Sequence, residues 1–182
     1  MRLVLFFIFF IGFSGNAQVI GIPHCGYDFT SYLVLNVHES GKTENVQNLR
    51  ITIVDSSGVE VINKNNRWSW VNTNKPLLFT PNYKIDSNNK KVEQTTSDGK
   101  WFFPFAKDSY LLSIVTAFPA DQFQVKIEDI DQNENGGHFE TQTIQLFPFN
   151  MYLLCSSENE RKAQQFGPRT NRPVEVILNK KK

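Results

Sequence analysis

Residues 122–128 read Gln122-Phe123-Gln124-Val125-Lys126-Ile127-Glu128, so that every second side chain is apolar. In an extended chain this alternation puts Phe123, Val125 and Ile127 on one face and the polar residues on the other, which is a strand half-covered by a core. The same grammar recurs outward in both directions. Upstream, residues 110–117 are nearly all apolar, as a central strand covered on both faces requires, and residues 49–54 alternate Leu49, Ile51 and Ile53. A turn at Asp55-Ser56-Ser57-Gly58 leads into residues 59–62, and residues 29–38 carry Leu33, Leu35 and Val37 in alternation. Downstream, Ile144 and Leu146 alternate with Thr143 and Gln145, and Val174, Val176 and Leu178 share one face. About seven such strands, separated by Gly, Asn, Asp and Pro, predict an all-β fold, an antiparallel β-sandwich.

Two stretches interrupt the pattern. Residues 63–100 are rich in Asn, Lys, Ser and Thr and read as a long decorated crossing between strands. Residues 156–172 hold the one helix candidate: Ser157 and Glu160 form a capping box, residues 161–165 are mostly good helix formers, and Gly167-Pro168 ends the run. The short helix is therefore expected near the C-terminus.

The first 17 residues read as an export signal. Arg2 supplies the positive start, residues 3–11 are an unbroken apolar run, and Gly15 and Ala17 are the small residues a signal peptidase requires. The run is shorter than the ~20 residues that span a bilayer, so a membrane span is not expected. The expected organisation is a signal over residues 1–17 and a single β-sandwich domain over residues 18–182, monomeric and periplasmic or extracellular. The whole chain has 182 residues, with 19 Lys+Arg against 18 Asp+Glu. Loss of Arg2 with the signal makes these equal. Neutrality argues against nucleic-acid binding, and 13% aromatic residues with 20% charged residues argue against wholesale disorder. In an oxidising compartment Cys25 and Cys155 are expected to form a disulfide, and no Cys-x-x-Cys is present.

Candidate chemistry is sparse. Asp129, Asp131, Asn133, Asn135 and Glu140 place oxygen-bearing side chains at spacings that suit Ca²⁺. Glu134 stands where an EF-hand needs Gly, and Asn135-Gly136 reads equally as a hairpin turn between two strands. Trp68, Trp70 and Trp101 could form an aromatic platform for a sugar, with Trp68 and Trp70 on one face if their segment is extended; packing in the core is the competing reading. The three histidines, His24, His38 and His138, belong to no hydrolase or metalloprotease motif, and His38-Glu39-Ser40 is a triad by proximity alone. No catalytic residue is expected.

Residues 32–37, Tyr-Leu-Val-Leu-Asn-Val, followed by Asn-Leu-Arg-Ile-Thr-Ile-Val-Asp-Ser-Ser-Gly at residues 48–58, resemble the opening strands of exported bacterial sandwich modules of the transthyretin-like kind. That group includes carboxypeptidase regulatory and collagen-adhesin B-type domains. The stretch Ile-Glu-Asp-Ile-Asp from residue 127, with Asn135-Gly136-Gly137, is similar to a late hairpin in small exported proteins. The resemblance implies a sandwich with a binding or scaffolding role. The Tyr-Arg-Gly-Ser tail of the group's ureide hydrolases is replaced by Asn179-Lys180-Lys181-Lys182, and the first strand lacks the lysine of an isopeptide crosslink. The expected function is that of a non-enzymatic binding or structural module whose partner is a cell-envelope protein or glycan. A calcium- or carbohydrate-binding surface protein and a small hydrolase without a local motif are the alternatives.

Overall fold

A computed structural model describes residues 30–88, 91–92, 108–132, 134, 137–153 and 173–181. The strands, in chain order, are β1 (Thr30–Glu39), β2 (Leu49–Val54), β3 (Thr80–Pro81), β4 (Lys84–Ile85), β5 (Lys91–Val92), β6 (Tyr110–Val115), β7 (Gln124–Asp129), β8 (Gln142–Gln145), β9 (Met151–Leu153) and β10 (Val174–Leu178). One sheet has the order β10-β1-β6-β3, the other the order β2-β7-β8, and β4 pairs with β5 alone. The protein is all-β, as the alternation predicts. The helix expected at residues 156–172 lies outside the described residues, as do residues 1–17, Cys25 and Cys155. Among the described residues, no helix is long and apolar enough to cross a membrane.

The two sheets close on one core. Leu33, Leu35 and Val37 of β1, Leu112 and Ile114 of β6, and Val174, Val176 and Leu178 of β10 meet Ile51 and Ile53 of β2 and Val125 and Ile127 of β7. Fully burying an aliphatic side chain of this size stabilises by about 1.5–3 kcal/mol, so the inward set outweighs any single polar contact. Register keeps the set together: Ile51 faces Ile127 and Ile53 faces Val125, while Leu33 faces Leu112. A one-residue slip would turn every one of these side chains outward.

β1 is the longest strand and organises its sheet. On one edge it runs antiparallel to β6. Its other edge is divided, with β9 pairing antiparallel over residues 31–33 and β10 pairing parallel over residues 35–39. Among the described strands this is the one parallel pair. Sequence alternation marks strands but does not fix their direction, which is why only the antiparallel case was expected.

The crossing at residues 63–100 contributes to both sheets where it is described. Ile53 N donates to Leu77 O at 3.0 Å and Phe79 N donates to Ile51 O at 2.9 Å, so residues 77–79 extend the edge of β2. The chain then passes directly into β3, which pairs with β6 in the other sheet. At the opposite edge, Phe139 bridges Lys180 and Glu140 N donates to Asn179 O at 2.8 Å. Both margins of the sandwich are thereby joined, which covers edges that could otherwise template pairing with another chain. Residues 59–62, expected as a strand, take part as bridges at Glu60 and Ile62.

A buried tyrosine fixes the link between β1 and β2. Tyr110 OH donates to Val46 O at 2.9 Å and accepts from Leu49 N at 3.2 Å. Burial pushes its hydroxyl pKa well up, and the neighbouring Tyr83 hydroxyl adds to the shift. The phenol therefore stays a neutral donor, as the bond to Val46 requires.

Candidate functional site

The most organised surface feature is the loop at residues 61–78, built around Asn63. Asn63 is fully buried. Its Nδ2 donates to Ser69 O and Val71 O, each at 2.8 Å. Its Oδ1 accepts from Trp68 N at 3.0 Å and Ser69 N at 3.3 Å. The backbone closes the neck, because Asn63 N donates to Lys75 O and Asn74 N donates to Asn63 O, both at 2.9 Å. An amide is suited to this position because it carries donors and acceptors on one planar group. Asn65, Asn66, Asn72 and Asn74 all have φ between 52° and 59°, a left-handed backbone that Asn tolerates better than most residues. Thr73 Oγ1 donates to Asn66 Oδ1 at 2.6 Å, and Asn72 Nδ2 donates to Leu78 O at 3.1 Å.

The loop is fastened to β6. Ser69 Oγ donates to Ser113 O at 2.5 Å, and Val115 N donates to Trp68 O at 2.8 Å. Trp68 packs edge-on against Phe118 with ring centroids 5.7 Å apart, and Phe118 stacks on Phe123. Arg67 lies over the Trp68 ring, its guanidinium carbon 4.4 Å from the ring centre. Trp70 points away from the core and is 61% exposed, with Val71 at 48%. The two indoles therefore do not form one platform: Trp68 anchors the loop and Trp70 is its outward tip. Trp101 lies outside the described residues.

The apolar surface extends beyond the tip. Ile62 and Leu78 are 40% and 36% exposed. Ile62 bridges Pro76, two positions before Leu78, so the strand alternation puts both on the outward face of this margin. Between Glu60 and Asp86 the chain contains no acid, while Lys64, Arg67, Lys75 and Lys84 add positive charge. Lys64, Arg67 and Lys75 are exposed. Neither this concentration of cations nor the buried amide was read from the sequence; the acid-free run was the available signal.

The calcium candidate resolves differently. Asp129 Oδ2 accepts from Phe139 N at 2.9 Å and Oδ1 accepts from Asp131 N at 3.2 Å, so the carboxylate ties together the two ends of the β7–β8 connection. Glu140 is exposed beside the Phe139–Lys180 bridge. Asn133 and Asn135 lie outside the described residues. Among the described residues, no group of three or more His, Cys, Asp or Glu comes together to hold a metal.

Of the remaining groups, His38 Nε2 lies 3.7 Å from Glu175 on the outer face of the first sheet. Asn36 Nδ2 donates to the same carboxylate at 2.7 Å, and Ser109 Oγ donates to Asn36 Oδ1 at 2.6 Å. The Ser109 hydroxyl thus donates to the Asn36 amide. Glu39, next to His38 in sequence, faces the other way and binds Lys42 and Lys180. These two lysines, Lys180 first, hold its carboxyl below the usual range. Glu39 and Lys42 line an open polar cavity of about 220 Å³ together with Glu44, Asn45, Val46 and Gln47. His138 Nε2 accepts from Lys181 Nζ at 2.8 Å. Beside Glu175, burial pushes the Tyr152 hydroxyl up to about 12, with the carboxylate charge adding to it.

The loop around Asn63 is thus the best-formed candidate for recognition, held on a two-sheet scaffold that no protein-family model, curated protein or solved structure matches.

Proposed function

We propose that the chain is an exported, non-enzymatic recognition module of the transthyretin-like kind, acting in the cell envelope through the loop at residues 61–78. One observation carries this reading. Trp70, a large aromatic side chain, is held outward on a loop whose interior is fully hydrogen-bonded. An exposed indole on a fixed backbone contributes contact area at little ordering cost, which is what recognition surfaces exploit. The apolar stretch at residues 3–11 supports export, and a Cys25–Cys155 disulfide belongs to the same proposal. The two stretches that resemble transthyretin-like modules include β1, β2 and the end of β7, all parts of the core scaffold.

The test compares the full chain with Trp70→Ala for retention on isolated envelope fractions. The expected result is loss of retention at an unchanged Tm. Equal retention of both proteins would remove the loop from the function. Mass spectrometry with and without reductant checks the disulfide, and two free thiols in the exported protein would exclude it.

A further inference from the structure

We infer that the tip of this loop docks on an anionic lipid surface. The inference rests on the loop being the recognition surface and adds the chemistry of its partner. The outward groups are of two kinds. Trp70, Val71, Ile62 and Leu78 supply an indole and three aliphatic side chains, the combination that enters the boundary between headgroups and acyl chains. Lys64, Arg67 and Lys75 supply the charge.

Among the described side chains these cations differ from the rest, and Lys181, which donates to His138, is the one other without a carboxylate. Lys42, Arg50, Lys126 and Lys180 each pair with a carboxylate. Among the described residues, Lys64, Arg67 and Lys75 have no carboxylate partner, and Arg67 rests on the Trp68 ring. The other cations whose side chains are described are held by a carboxylate or, for Lys181, by His138, whereas these three flank an exposed apolar tip.

The loop amides argue for lipid over sugar. A sugar site needs directional donors and acceptors beside its aromatic ring, but Asn63, Asn66, Asn72 and Asn74 each use amide atoms to hold the loop itself. A lipid surface makes no such demand: headgroup charge meets the cations while the ring enters the interface.

Co-sedimentation of the full chain with vesicles tests the assignment, comparing mixed phosphatidylglycerol–phosphatidylcholine with phosphatidylcholine alone. Binding is expected to the anionic vesicles and to weaken as salt is raised above about 0.1 M. Each cation near such a surface changes partition by about fivefold, so the combined Lys64→Glu, Arg67→Glu and Lys75→Glu variant should lose at least about a hundredfold. Trp70→Ala should lose about tenfold and Trp70→Phe should recover most of it, with Tm unchanged in both. The variants retain the apolar run at residues 3–11, so vesicle binding that survives all these substitutions belongs to that run and overturns the inference. Equal binding to neutral vesicles overturns it as well. Binding to an acidic polysaccharide but not to vesicles, sensitive to Trp70→Ala, overturns the lipid assignment and leaves the loop as the recognition surface. Retention on every surface that ignores Trp70→Ala overturns both.

Discussion

Two loops of this protein are each closed by one polar side chain, and the closures differ in kind. The loop at residues 61–78 is held by the buried amide of Asn63, which donates twice and accepts twice. The β7–β8 connection is held by the half-buried carboxylate of Asp129, which accepts twice. An ionised carboxylate can gather only N–H groups, so it ties the two ends of a loop and leaves the carbonyls to water. An amide gathers both, so it can fill the middle of a loop and exclude water. The first arrangement can therefore sit fully buried and hold a large side chain outward, whereas the second stays at the surface.

The sharpest way to break this comparison is Asn63→Ala. It removes the partner of two N–H groups and two carbonyls, one of each in a buried bond, and the expected loss is about 3–5 kcal/mol in urea unfolding. A loss below about 1 kcal/mol would mean that the amide does not organise the loop. The two tryptophans come next. Trp68→Ala removes the contact with Phe118 and should cost about 2–3 kcal/mol, whereas Trp70→Ala should leave stability within about 0.5 kcal/mol. Equal effects at the two positions would erase the distinction between anchor and tip.

Asp129→Ala should cost about 1–2 kcal/mol, less than the amide because only two N–H groups lose a partner. Because both Asp129 oxygens already hold backbone, adding Ca²⁺ or a chelator should leave the Tm unchanged; a rise with Ca²⁺ would restore the metal reading.

The smallest effect is electrostatic and lies on the outer face of the second sheet. Glu128 binds Lys126 at 2.7 Å and Arg50 at 2.9 Å, and these cations, Lys126 first, hold its carboxyl below its ordinary value of 4.5. A carboxylate with a depressed folded-state pKa stabilises above its unfolded value, and that contribution is lost as pH falls through the folded value. Melting curves taken downward from about pH 6 should therefore show an acid-side loss of Tm that Glu128→Gln reduces. An unchanged profile in the variant would show that the ion pairs are fully screened.

The legible part of the fold was the part written in alternation. Leu33-Leu35-Val37, Ile51-Ile53, Val125-Ile127 and Val174-Val176-Leu178 each announce a half-covered strand, and each sits in the common core. β9 was not expected, because three residues are too short for a period to register. The role of residues 77–79 was hidden for a different reason. A polar surrounding made residues 63–100 read as one crossing, whereas Leu77 and Phe79 are buried between the sheets. At the site, Trp68 and Trp70 were visible as aromatics but not as opposites. Their orientations follow from the turn that Asn63 imposes and from the hold of Ser69 on Ser113, which are tertiary contacts with no local signature. The cluster of asparagines was a usable sign that residues 63–74 form a tightly turned loop and not an extended span.

The divided edge of β1 constrains the order in which the protein can assemble. The bond from Asn36 to Glu175 joins positions 139 apart in the chain, and β10 supplies three residues of the common core. Loop closure over such a distance is entropically slow, and synthesis delivers β10 long after β1. Until then that half of β1 stays open, and the core formed by β1, β6 and the second sheet is missing a wall. Native burial of Leu35 and Val37 thus waits for β10, and chains halted before residue 174 expose an unpaired strand edge at the time when aggregation competes with folding.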